Sequence, residues 1–302
     1  MHLYCLGSGS PTVILEAGSG CPWYLWGPVQ RAAAQYSRVC SYDRAGYGLS
    51  ELGPNPRTGK VVAEELQTLL HAAGIKPPYL LVGHSLGGMF IRVFEALYPS
   101  QVKGLILVDS VHEEQHKRLP RFPDQSPSLW QRLETFFARH FDFVKDWVIE
   151  KDKTKYPIPP DFSDVQLTYA FDLMMRSNIE EATTAEGKSV DGSADDLKKM
   201  DRKLGNKPLI VVSQGKPDGV TADMDEEYAA KIKQMNKVWP ELQLELVQLS
   251  SNSRHLIAKE SGHMIPLYQP QIIVDAIRDM VQDYRKSHPV TECIAGKPSV
   301  CH

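Results

Sequence analysis

The sequence predicts an α/β fold built on a mostly parallel sheet flanked by helices, and three observations carry that expectation. Short apolar, β-branched runs alternate with stretches of helical period. The runs YLLV and LILV are apolar at every position, as strands covered on both faces must be. Gly and other turn residues stand at the joints.

HLYCL and TVILEA read as two strands joined through Gly-Ser-Gly-Ser-Pro. YLWGPVQRAAAQY has a helical pattern and SRVCSYD reads as a strand. TGKVVAEELQTLLHAAG is a helix with Val62, Leu66, Leu69 and Leu70 on one face and Gly74 as its stop signal. PYLLVG, LGGMFIRVFEALY and KGLILVD then read as strand, helix and strand, the helix ending at Pro99. From about 111 to 206 no clear strand pattern occurs. That stretch is rich in aromatics, Trp130, Phe141 and Tyr169 among them, and reads as a mostly helical insertion. The sheet pattern resumes with KPLIVVSQG, followed by a helix near 222–238, the strand RHLIAKES and the helix PQIIVDAIRDMVQDYRK. Residues 242–250 fit both periods; Pro240 suits a first helical turn, so a helix starting there is expected. The expected organisation is a core in two parts, 1–110 and 207–287, around a helical cap at 111–206, with a polar tail at 288–302.

The 302 residues and a hydrophobic content of 42% are enough for a sizeable core and argue against disorder. A formal net charge of −3, with both signs spread along the chain, gives no electrostatic reason to expect nucleic acid or acidic lipid as a partner. No apolar run approaches the roughly 20 residues needed to span a bilayer. No signal peptide is visible, because Met1 leads straight into a strand pattern. A cytoplasmic location is expected, with secretion open should a segment precede Met1. Cys5, Cys21 and Cys40 lie near apolar runs and read as small core residues, while Cys293 and Cys301, in the tail, could pair. No C-x-x-C occurs, which argues against a cysteine zinc site.

The strongest chemical signal is Gly83-His84-Ser85-Leu86-Gly87, a G-x-S-x-G between a predicted strand and a predicted helix. That context is what a nucleophile elbow requires, with the Ser85 hydroxyl raised out of a tight turn. The Leu86 amide, at a helix start, is a candidate oxyanion donor. A serine needs a base, and His263 in Ser261-Gly262-His263-Met264 follows the last strand. A rival pattern lies at His112-Glu113-Glu114-Gln115-His116, which is H-E-x-x-H. Zinc would need both histidines one turn apart on a helix with a third ligand. Here the pattern follows a strand directly, and no H-x-x-G-x-x-H partner comes after it. His112 and Glu113 are therefore expected to brace a loop, with Glu114, Gln115 and His116 in a solvated first turn, and no metal or cofactor is expected.

LEAGSG, SYDRAGYGLS, VGHSLGG, LILVDS and ESGHMIP stand in the order of the α/β-hydrolase superfamily. Over roughly residues 2–286 the chain resembles its serine esterase and lipase branch, with a helical cap after the sixth strand by the family's count. The resemblance implies a Ser85, His263 and Asp triad acting without cofactor on a small-molecule ester. Its second oxyanion donor would be a backbone amide of Glu16-Ala17-Gly18-Ser19-Gly20: Ser19, with Gly20 next. Relatives often carry His-Gly there. The triad acid has two candidates. Asp218 fits the family's G-x-x-D after its seventh strand, though Pro217-Asp218-Gly219 is also a common turn. Asp109 ends the sixth strand, and the relatives most resembled usually lack the seventh-strand Asp, which favours Asp109. Asp43 and Arg44 read as an ion pair or turn brace rather than as an entrance to the site. The expected reaction is hydrolysis of small to medium apolar esters. A lactonase, C–C hydrolase, perhydrolase or proline-type aminopeptidase could use the same triad, and the fold also serves as a non-catalytic ligand receptor. Serine at the elbow argues against haloalkane dehalogenase and epoxide hydrolase chemistry, whose nucleophile is Asp.

Overall fold

Apolar residues at successive positions demand cover on both sides of a strand, and the fold provides it. A computed structural model describes residues 1–120, 163, 169–170, 173, 177–200, 203–221 and 224–289. The strands are β1 (Leu3–Leu6), β2 (Thr12–Glu16), β3 (Val39–Tyr42), β4 (Tyr79–His84), β5 (Val102–Val108), β6 (Leu209–Gln214) and β7 (Ser253–Ala258). They form one sheet in the order β1-β3-β2-β4-β5-β6-β7. Only β1 runs antiparallel, against β3. The strand ending at Val108, sixth by the family's count, is β5 here.

The α-helices among the described residues are α1 (Gly27–Ala33), α2 (Gly59–Ala72), α3 (Leu86–Leu97), α4 (Gln115–Arg118), α5 (Ser177–Lys199), α6 (Glu226–Val247), α7 (Ile265–Tyr268) and α8 (Pro270–Ser287), with a 3-10 turn at Trp23–Trp26 before α1. Alternation along each strand divides the core in two. Leu81, Leu105, Leu107, Leu209 and Val211 face α2, α3 and α6. Val82, Ile106, Val108, Ile210 and Val212 face α1 and α8. Caps fix where the helices begin: Thr58 Oγ1 accepts from the Val61 amide, and Asp225 Oδ1 accepts from the Tyr228 amide at 2.7 Å.

Two expectations need correction. Residues 242–247 are helical, but they continue α6, which starts at Glu226 and carries Pro240 inside it. The Asp225 cap and the acidic first turn, Glu226 and Glu227, supply the true N-terminus. Pro240 then removes a single interior N–H, and tertiary packing of the buried Leu242 and Leu246 carries the helix past it. Cys5 and Cys40 are not isolated core thiols. They form a disulfide, with Cα atoms 4.1 Å apart. The antiparallel ladder sets them directly opposite each other, a relation that only the β1–β3 register creates. Cys21 is buried as a free thiol.

Of the expected cap, Ser177–Lys199 is a long helix packed on α2 and α3, while positions 121–162, with Trp130 and Phe141, lie outside the described residues. So do Cys293 and Cys301. Among the described residues no helix is long and apolar enough to cross a membrane.

The disulfide joins residues 35 positions apart. Opening a loop of that size by Cys5→Ser with Cys40→Ser is expected to lower unfolding free energy by roughly 2–4 kcal/mol, read from urea midpoints without reductant. Equal midpoints, or alkylation of both thiols in the unreduced native protein, would count against the link.

Candidate active site

The elbow follows from steric limits around Ser85. A Cβ on Gly83 would lie 2.6 Å from the Gly87 carbonyl oxygen, and one on Gly87 would lie 2.5 Å from the Ala17 oxygen. Neither position admits a side chain, so the strand turns into α3 at once. Ser85 takes up the turn at φ 53° and ψ −123°, a conformation non-glycine residues rarely adopt. Two backbone bonds lock it to the end of β5: Ser85 donates its N–H to Val108 O, and Val111 donates to Ser85 O, each at 3.0 Å.

Asp109 leaves β5 with φ 42° and is fully buried. Its Oδ2 accepts from His263 Nδ1 at 2.7 Å. Its Oδ1 accepts from the Gln214 amide and from Trp239 Nε1, both at 3.0 Å. A buried carboxylate needs such partners, and three separate segments supply them. Asp218 is placed differently. Its backbone is tied to the Asn236 side chain of α6, at 3.0 and 2.8 Å, and its carboxyl forms part of the cavity wall without a hydrogen bond to His263. Burial raises its pKa, the nearby His263 charge opposing that and Asp109 adding to it.

His84, beside the elbow, is buried and bonds through Nε2 to the His263 carbonyl oxygen at 2.9 Å. A carbonyl only accepts, so the His84 proton is on Nε2. Burial, with the neighbouring His263 charge, pushes its pKa down to about 3 and keeps the ring neutral. His84 thus holds the loop that carries His263.

The loop after β2 passes close to Ser85: a Cβ on Gly18 would fall 3.1 Å from Ser85 Cβ. Arg44 braces this loop from behind. Its Nη1 donates to Ala17 O at 2.6 Å and its Nη2 to Gly18 O at 2.9 Å. It also pairs with Glu16 at 2.6 Å and with Glu186 of α5 at 2.8 Å, all three side chains being almost completely buried. Tyr42 donates to Glu16 and Tyr47 to Glu186. Burial raises the Glu16 pKa while Arg44 pulls it down. The Gly20 amide is occupied, donating to Tyr47 Oη at 3.1 Å. The Ser19 amide makes no hydrogen bond to the described residues, and neither does the Leu86 amide at the start of α3. Asp43 is a brace as well, accepting from the amides of Trp23 and Leu49.

The H-E-x-x-H residues do not share a helix, since only Gln115–Arg118 is helical and His112 precedes it. His112 Nδ1 accepts from the Glu114 amide, and Glu113 pairs with the buried Arg92 at 2.7 Å. Burial raises the Glu113 pKa, but Arg92 outweighs that and holds it at about 2. Among the described residues no group of three or more His, Cys, Asp or Glu side chains is gathered in a metal-binding arrangement.

Ser85, Asp109 and His263 open on one cavity of about 630 Å³, with Val111, Leu119 and Met235 in its walls. Sequence reasoning missed Trp239 and Glu186. Both reach the site from helices remote in sequence, and neither lies in a motif. The only signal available for Trp239 was an aromatic on a helix following β6.

A family profile described as alpha/beta hydrolase fold matches residues 11–152. An AB hydrolase superfamily protein of Gibberella zeae is 27% identical over 90% of this chain and 86% of its own length. A probable transporter, efuK, of Hormonema carpetanum is 27% identical over 93% of this chain, which spans 41% of that protein. Among solved structures, an esterase from Thermogutta terrifontis superposes with a TM-score of 0.61 at 20% identity, covering 93% of this chain and 92% of that one. The epoxide hydrolase CorEH does so with a TM-score of 0.62 at 20% identity, covering 94% and 95%. Two chemistries on one backbone make these likenesses of fold. With the strand order and the matched profile in agreement, the chain has the α/β-hydrolase fold.

Proposed function

We propose that the protein is a serine hydrolase that cleaves carboxylic esters through an acyl-enzyme on Ser85. The observation that carries this reading is the 2.7 Å bond from His263 Nδ1 to Asp109, on the cavity that Ser85 also lines. With Nδ1 engaged, Nε2 is the nitrogen left to take the Ser85 proton. Ser85 Oγ then attacks the ester carbonyl, and the amides of Leu86 and Ser19 stabilise the oxyanion. The imidazolium protonates the leaving alcohol, and water, deprotonated by the same ring, releases the acid. Asp109 holds the tautomer and the charge; Asp218 takes no part in this relay. A volume of about 630 Å³, with Val111, Leu119 and Met235 in walls that also carry Gln115, His116, Asp191 and Asp218, supports small to medium substrates with an apolar part. The Cys5–Cys40 disulfide supports an oxidising compartment over the cytoplasm.

A fluorophosphonate probe should label the native protein and fail to label Ser85→Ala; absence of labelling in the native protein would overturn the reading. Asp109→Asn should lower kcat on para-nitrophenyl esters by about 10⁴-fold. Asp218→Asn should stay within roughly tenfold of wild type, a larger loss there reversing the assignment of the acid. Trp239→Phe keeps an aromatic side chain, though a smaller one, and removes one donor from a buried carboxylate. It is expected to cost about 1.5–3 kcal/mol of stability in urea unfolding.

A further inference from the structure

Five N–H groups are all an arginine has. Arg44 spends them on two segments at once. Two of its bonds go to the carbonyls of Ala17 and Gly18, one to Glu16, and two to Glu186, from Nε at 2.8 Å and from Nη2 at 2.9 Å. Glu186 also accepts from Tyr47 at 2.6 Å, and Tyr47 in turn holds the Gly20 amide. One carboxylate on α5 therefore reaches both ends of the loop that passes behind Ser85.

We propose that Glu186 is a positioning residue for oxyanion stabilisation, acting through Arg44 and Tyr47 on the amide of Ser19. The inference rests on the serine-hydrolase reading above. Its geometry is that of the peptide bond. A trans peptide is planar, and its C=O and N–H point in opposite directions. Arg44 fixes the Gly18 carbonyl, so it fixes the Ser19 N–H of the same peptide plane and turns it away from the guanidinium. It does the same for the Ala17 carbonyl and the Gly18 N–H. The aim of those N–H groups thus depends on where the guanidinium rests. Arg44 is 2% exposed and has no route to water, and Glu186 is the partner that holds its far edge. Removing that carboxylate frees Arg44 to re-pair, and the carbonyls move with it. Oxyanion geometry then exists only while α5 is seated on the core, which makes the helix a structural requirement of the chemical step.

The test separates transition-state from ground-state binding. A trifluoromethyl ketone forms a hemiketal with Ser85: the Oγ–C bond forms, the carbonyl oxygen takes up the electron pair, and the Ser85 proton passes to His263. The methyl ketone of the same chain occupies the cavity with little addition. Glu186→Gln should lower kcat on para-nitrophenyl butyrate by about 100-fold with KM within about threefold. It should also cut the affinity advantage of the trifluoromethyl over the methyl ketone by at least about tenfold, with methyl ketone binding held within about twofold. Lys188→Ala, an exposed change on the same helix, should match wild type in all of these. Tyr47→Phe should shift the same ratio in the same direction and carries the test if Glu186→Gln fails to fold. An unchanged ratio, or equal weakening of both ketones, overturns the proposal. A wild-type protein that neither hydrolyses the butyrate nor binds the trifluoromethyl ketone overturns the hydrolase reading and this one together.

Discussion

A fully buried carboxylate organises this molecule. Asp109 carries its charge away from water at the end of β5, and only the N–H groups of Gln214, Trp239 and His263 make that tolerable. Those groups come from the end of β6, from α6 and from the loop after β7. Each segment must arrive in place for the charge to be buried, so the alignment of His263 is a condition of folding rather than an addition to it. The backbone ties between Ser85, Val108 and Val111 bring the elbow under the same condition.

Topology decides where the opening lies. The chain leaves β2 for α1 on one face of the sheet and leaves β4 for α3 on the other, although β2 and β4 are neighbours. Diverging connections from adjacent parallel strands leave a crevice at their carboxyl ends. The Gly18 loop and Ser85 line that crevice from its two sides, in contact but not linked by any nearby stretch of chain. Such a gap needs a brace, and Arg44 provides it from below with all its donors engaged.

Much of this architecture is legible in the sequence because local chemistry dictates it. Continuous apolar strands and the glycines around Ser85 each follow from a local constraint. The choice between Asp109 and Asp218 is different. Both follow strands, and a Pro-Asp-Gly turn looks the same whether or not its carboxylate faces a histidine. The distance from each strand end to His263 depends on sheet order, which spacing does not encode. Trp239 and Glu186 carry no local mark, since their roles come from helices that pack against the site. The Cys5–Cys40 link needs the antiparallel register of β1, and Pro240 misleads because its effect on a helix depends on what the flanking turns bury.

That antiparallel strand has a further consequence. β1 forms one margin of the sheet, where unpaired amides and carbonyls invite a strand from another molecule. β1 is only four residues long, and hydrogen bonds alone would let it peel away and expose the rim of β3. The disulfide converts that margin from a reversible pairing into a covalent seam, so exchange of β1 between molecules is closed off while the bond is intact. The opposite margin, β7, has no such seam, and its Arg254 is paired with Asp279 of α8 at 3.1 Å. The two margins of one sheet thus differ in how they are held, β1 by a covalent bond as well as its ladder and β7 by its ladder with β6.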